Sequence, residues 1–161
     1  MISAVDANVL LDVAGNSPLF YGKSVELLEK HSASGSLVIC PVVYSELLVF
    51  FLRKHDKKYA VHMMEKFLTD IGVTVSDFVK QDFVLAAEAW LGFLGTKGTV
   101  QCPKCGVGNN LTCKQCHSPL FWKNHVLSDF LIGAHAQNHA NVLLSRDRGY
   151  YKKYFTVKIL P

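Results

Sequence analysis

No stretch of this 161-residue chain is both long and apolar enough to span a bilayer. The longest largely apolar run, 37–52, covers 16 residues and carries Glu46, against the roughly 20 clean residues a span needs. The opening MISAVDANVL has no basic residue and sets Asp6 where a secretion signal would be apolar. The chain is therefore expected to work in the cytoplasm, with no membrane partner. Charged residues make up only 19% of the chain and half of it is hydrophobic, which excludes wholesale disorder and allows one buried core. Acidic residues are nearly missing from the later part. Positions 1–96 hold 8 basic and 11 acidic side chains, whereas 97–161 hold 9 basic and only 2 acidic ones, Asp129 and Asp147. A basic half suits a polyphosphate backbone, because each neutralised phosphate releases counterions.

Cysteine is scarce except in one place. Four of the five fall in QCPKCGVGNNLTCKQCHS as Cys102, Cys105, Cys113 and Cys116, spaced C-x2-C-x7-C-x2-C. Two such hooks joined by a short polar loop can set four thiolates tetrahedrally around one Zn²⁺. With every position filled by sulfur, such a metal is structural. His117 could replace one thiolate, and disulfides are disfavoured in a chain without a secretion signal. Cys40, between apolar residues, reads as a small core hydrophobe.

Outside 99–119 the pattern alternates between short apolar runs and longer amphipathic ones. Strands are expected at 1–5, 37–40, 73–75, 141–145 and 156–160. Helices are expected at 8–14, 19–34, 41–54 (with Pro41 as first residue), 57–71, from an Asp77 cap to 93, at 125–138 and at 147–155. Such alternation predicts a three-layer α/β sandwich, with a mainly parallel five-stranded sheet and helices on both faces. Residues 1–161 then form one domain, interrupted by a zinc-ribbon insertion at 99–119.

In an open parallel sheet the active crevice lies beyond the carboxyl ends of the strands. Asp6 follows the first strand and Asp147 the strand NVLLS; either alone could simply cap a helix. Glu46 is harder to dismiss, because its helical neighbours Val42, Val43, Val49 and Phe50 are all apolar. A lone carboxylate there is costly unless paired, neutralised or bound to a cation. Asp129 repeats the pattern in HVLSDFLIGAHA, with Gly133 and Ala136 leaving room on its face for a close approach. Four converging acids repel one another and persist where divalent cations compensate them. Hard oxygen donors select Mg²⁺ or Mn²⁺, and the chemistry that follows is metal-assisted phosphodiester hydrolysis.

Taken together, Asp6-Ala7-Asn8, Glu46 in PVVYSEL, Asp129 in SDFLIGAHA and Ser145-Arg146-Asp147 in LLSRDRGYYKKYF resemble the PIN-domain ribonucleases, with the VapC-type toxins as the nearest branch. The resemblance covers nearly the whole chain outside 99–119. It implies that Asp6, Glu46, Asp129 and Asp147 bind the catalytic metal, with Asn8 and Ser145 as polar supports. It also implies endonucleolytic cleavage of RNA to a 5′-phosphate and a 3′-hydroxyl, a homodimer, and a cognate antitoxin. Ala7 and Ser145 depart from the residues usual at those positions, and the small toxins lack the insertion. Zinc ribbons beside PIN domains also occur in the nuclease that trims ribosomal RNA precursors, where the ribbon follows the domain.

The basic residues suggest a phosphate track past the acids: Arg146, Arg148, Lys152 and Lys153, joined by Lys104 and Lys114 of the insertion. Asp12, one turn after Asn8, reads as solvated; His125 reads as a surface residue one turn before Asp129, and Trp90 and Trp122 as core or insertion anchors. Two other nuclease-free readings compete. One is a zinc-ribbon RNA-binding protein on a silent scaffold. The other is an α/β phosphotransferase with Asp6 as phosphoacceptor, which Asn8 disfavours because that chemistry wants a second aspartate there.

Overall fold

The computed structural model describes residues 1–94, 100–101, 108–109, 112, 114–117, 127–147 and 149–161. The chain runs β1 (Ile2–Val5), α1 (Ala7–Ala14), α2 (Tyr21–Ser34), β2 (Ser36–Ile39), α3 (Pro41–Leu52), α4 (Lys57–Asp70), β3 (Val73–Val75) and α5 (Lys80–Leu94). It continues through β4 (Val100–Gln101), β5 (Gly108–Asn109), α6 (Ser128–His139), β6 (Val142–Leu144), α7 (Gly149–Tyr154) and β7 (Lys158–Leu160).

The five strands β3-β2-β1-β6-β7 form one all-parallel sheet flanked by helices, as the alternating pattern predicts. Parallel strands covered on both faces need continuous apolar side chains rather than alternating ones. Ala4, Val5, Leu37, Ile39, Val142, Leu143 and Leu144 are accordingly all buried. The strand order reverses between β1 and β6, whose register pairs Ala4 with Leu143 and Val5 with Leu144. Beyond β1, Asp6 extends the ladder by donating its N–H to the Leu144 carbonyl at 3.0 Å, and Ser145 does the same to Leu160 at 2.9 Å. The next rung of the sheet thus carries Asp6 and Ser145 side by side.

Helix α6 is wrapped by protein along its middle, with Phe130, Ile132, Gly133, Ala134, His135 and Ala136 all buried. Gly133 does make a close approach possible, but what approaches is the Phe155 ring. A Cβ at Gly133 would run into that ring, so the expected space belongs to the core. Gly72, at φ +67°, turns the chain between α4 and β3 in the left-handed region that glycine adopts without penalty.

Two expected helix starts are corrected. Asp77 is not the cap of α5, which begins at Lys80; the Asp82 carboxylate turns back to accept the Val79 N–H at 2.8 Å. Helix α6 begins at Ser128 rather than 125, after an extended Leu127 (ψ 153°), which puts Asp129 in its first turn. Trp90 joins the core, stacked on Phe93 and edge-on to Phe130.

Of the segment expected to hold zinc, the short strands β4 and β5 pair antiparallel. Cys102, Cys105 and Cys113, like Lys104, Trp122, His125 and Arg148, lie outside the described residues; Cys116 and Lys114 are exposed. Among the described residues, no helix is long and apolar enough to cross a membrane.

Candidate functional site

The point where a parallel sheet reverses its strand order opens a crevice at the carboxyl ends of the two diverging strands. Here those strands are β1 and β6, so the crevice lies beside Asp6 and the turn 145–147. Asp6 is 6% exposed, and its Oδ2 accepts two side-chain hydrogen bonds, from Ser145 Oγ at 2.6 Å and Asn8 Nδ2 at 2.6 Å. Asn8 Nδ2 also reaches Ser145 Oγ at 3.1 Å, while its Oδ1 accepts the Arg146 N–H at 3.2 Å. The Asp147 N–H closes the turn on Ser145 Oγ at 3.0 Å. Asn8 and Ser145 thus converge on the same oxygen of Asp6.

Glu46 comes from the middle of α3 and Asp129 from the first turn of α6, both half-buried; Asp147 is exposed. The four carboxylates act on one another. Burial raises Asp6 above the ordinary aspartate range; the Ser145 hydroxyl and the Ala7 amide lower it, and the charges of Glu46 and Asp147 push it up again. Glu46 is raised by burial and by Asp129, against a hydrogen bond from the Ser128 side chain. Asp129 is pushed up to about 6 by burial and by the charges of Asp6 and Asp147. A helix N-terminus ordinarily favours a carboxylate, so burial and the two neighbouring acids outweigh it here.

Among the described residues, no three of His, Cys, Asp or Glu are gathered tightly enough to hold a metal ion by themselves. The donor set nevertheless fits a hard, hydrated cation. Mg²⁺ keeps several of its waters and takes only one or two carboxylates directly, and a surplus of mutually repelling acids is what such a cation relieves.

The sequence reading missed three residues near these acids. Ser128 supports Glu46. Tyr151 of α7 is 1% exposed and its hydroxyl has no hydrogen-bond partner among the described residues. Burial raises the Tyr151 hydroxyl first, and then all four acids do, which places it within electrostatic reach of the whole cluster. Asp12 is the third, and a correction: it is 5% exposed rather than solvated. Arg146 Nε lies 2.8 Å from Asp12 Oδ2, so the guanidinium expected to meet phosphate is instead turned to a carboxylate. Of the other basic candidates, Lys152 and Lys153 stand exposed on α7.

No family model matches the sequence, and no curated protein does. Solved structures do match, and they define the class: an α/β domain with the PIN fold of the VapC type. The chain is similar over 99% of its length, and 98% of the other, to a chain of VapBC2 from Rickettsia felis bound to a DNA fragment from their promoter, at 20% identity and a TM-score of 0.62. Similarity to VapBC-1 from nontypeable Haemophilus influenzae covers 99% and 97% of the two chains at 16% identity and a TM-score of 0.64. For FitAcB from Neisseria gonorrhoeae the figures are 100% and 97%, 16% and 0.60.

Proposed function

We propose that this protein is a metal-dependent endoribonuclease of the VapC kind, the toxin of a toxin–antitoxin pair. The observation that carries the reading is the cluster of Asp6, Glu46, Asp129 and Asp147 at the reversal point of the sheet, in which burial first and then neighbouring acids raise Asp6, Glu46 and Asp129 above their ordinary ranges. These four would hold Mg²⁺ or Mn²⁺, which when bound supplies an activated water for in-line attack and charge compensation at the phosphate. The protein's own share is orientation. Asn8 and Ser145 fix Asp6, Ser128 steadies Glu46, and the helix carrying Asp129 is locked by its buried middle.

The proposed substrate is RNA, guided by Lys152 and Lys153 of α7 and by Lys104, Lys114 and Arg148. The proposed partners are a cognate antitoxin, in line with the VapBC assemblies of similar fold, and a second copy of the chain. Val49 and Leu52 of α3 and Tyr59 of α4 are exposed apolar side chains suited to a homodimer contact, which light scattering would detect. Cys102, Cys105, Cys113 and Cys116 are proposed as a structural zinc ribbon, checked by metal analysis of the purified protein. That insertion also keeps open a role in RNA maturation, or RNA binding on a silent scaffold.

The test is cleavage of total cellular RNA by the purified protein with Mg²⁺ or Mn²⁺ and with EDTA, alongside Asp129→Asn, with product ends mapped by sequencing. Metal-dependent cuts at defined positions, lost in the variant, are expected. Equal cleavage by the variant, or none by a folded wild-type protein, would move the assignment to the RNA-binding scaffold.

A further inference from the structure

Asn8 and Asp12 lie one turn apart on α1, and both reach the 145–147 turn that follows β6. Asn8 Oδ1 takes the Arg146 backbone N–H at 3.2 Å. Asp12 takes the Arg146 side chain by both carboxylate oxygens, Oδ2 from Nε at 2.8 Å and Oδ1 from Nη2 at 3.2 Å. This fork-to-fork pairing is the geometrically most demanding of the ion pairs and fixes both partners in a plane. The pair is held further from two sides. Ser24 Oγ of α2 donates to Asp12 Oδ2 at 2.9 Å, and the guanidinium carbon lies 4.1 Å over the Phe20 ring. One arginine is thus anchored through backbone and side chain to the same face of the helix that carries Asn8, while the residues on either side of it are Ser145 and Asp147.

We propose that the Asp12–Arg146 pair is a positioning device for the acid crevice, setting the turn that carries Ser145 and Asp147 at a fixed distance from Asp6. The proposal rests on the assignment of the four acids as the metal site. Asp12 is buried, so its full pairing matters: a loose partner would leave a charge out of water. Ser145 Oγ bonds Asp6 Oδ2 and accepts the Asp147 amide, so a shift of the turn moves Asp147 and releases Asp6 together. Arg146 acts through these neighbours and not on the substrate. This reverses the role expected of it from charge alone, and the two roles predict opposite results for Asp12.

The experiment uses the full chain with Asp12→Asn, Arg146→Met, the double variant, and Arg146→Lys, which keeps the charge but not the fork. Mn²⁺ affinity is measured by calorimetry, RNA cleavage as kcat and KM across salt concentrations, and folding by a cooperative thermal transition. Loss of a supporting partner typically lowers metal affinity by about tenfold or more. Each single variant is expected to show that loss and a fall in kcat, with KM and its salt dependence unchanged. The double variant is expected to be no worse than either single one, and Arg146→Lys intermediate. A raised KM and flatter salt slope in Arg146→Met, with Asp12→Asn unaffected, would make Arg146 a phosphate contact and overturn the proposal. Additive losses, or unchanged Mn²⁺ affinity in folded single variants, would overturn it as well.

If the wild-type protein binds Mn²⁺ but cuts no RNA, the nuclease reading fails and the metal affinities alone decide the clamp. If it binds no Mn²⁺, hydrogen exchange at the Asp147 amide decides: faster exchange in Asp12→Asn supports the clamp and an unchanged rate rejects it.

Discussion

Helix α6 meets a carboxylate withdrawn from water at each end, half-buried Asp129 at the first and fully buried Asp82 at the last, and the two ends treat it oppositely. In the first turn, Asp129 lies among Asp6, Glu46 and Asp147 and is pushed up to about 6. In the last turn, Asn138 Nδ2 and His139 Nε2 deliver hydrogen bonds of 2.7 and 2.9 Å to Asp82, which also takes the Val79 N–H. Asp82 is fully buried, and burial alone would raise it, yet the Val79 amide, Asn138 and His139 together bring it below its ordinary value. Burial is common to both ends, so compensation decides the sign. One carboxylate is satisfied by the fold and is structural. Asp129 instead has two neighbouring acids adding to the rise that burial imposes, the surroundings expected of the proposed cation site.

The largest expected effect breaks the end where the carboxylate is raised. Asp129→Asn should lower metal-dependent RNA cleavage on the order of 100-fold. Without metal the same variant should be more stable than wild type. A carboxylate raised to about 6 when folded contributes stability that is complete below its unfolded value near 4 and lost as pH rises through about 6. At pH 7 in EDTA the gain should be about 2 kcal/mol, less than the full shift implies because the crevice is open to water. Melting curves from pH 4 to 8 would check it, and a variant less stable than wild type at pH 7 would count against the repulsion.

Breaking the satisfied end should have the opposite sign. His139→Leu strands a buried charge at Asp82 and should cost about 3 kcal/mol near neutral pH. Because Asp82 is lowered in the fold, wild-type stability from this end is present above about pH 4 and lost as pH falls through its folded value. The variant should show a flatter loss in acid, measured by urea unfolding at pH 3 and 7.

Between the two ends, Gly133→Ala drives a methyl into the Phe155 ring and should cost about 1–3 kcal/mol. Thermal melting would register that as a fall of several degrees; no change would mean that the ring yields freely. The smallest effect sharpens the comparison. Tyr151→Phe removes a buried hydroxyl without a partner among the described residues, so the metal-free variant should gain about 1 kcal/mol. Mn²⁺ should then stabilise it less than wild type if that hydroxyl meets a ligand in the crevice.

Much of this was legible along the chain. Alternation of short apolar and longer amphipathic runs gives the five strands and their parallel class, because strands covered on both faces read as near-continuous apolar runs. Glu46 stands out because a carboxylate among apolar helical neighbours needs an explanation that local structure cannot supply. Asp129 stands out likewise, although α6 has no apolar stripe to mark its faces, being buried nearly all round. Asp12 was misread because one turn of α1 cannot reveal a partner 134 residues away. Gly133 was misread because a glycine shows that something comes close, not whether it is a ligand or Phe155.

What the amino-acid order settled alone is local and periodic: which segments become strands or helices, and which acids sit in surroundings that solvent would not choose. Whether those acids meet was decided by the pairing of β1 with β6, which sets Asp6 beside Ser145 and Asp147 from the far end of the chain. Whether a carboxylate is lowered by partners, like Asp82, or raised by neighbouring acids, like Asp129, was likewise decided only by what tertiary packing put next to it. Coulomb energies depend on distance and dielectric, and both are properties of the folded molecule rather than of the order of its residues.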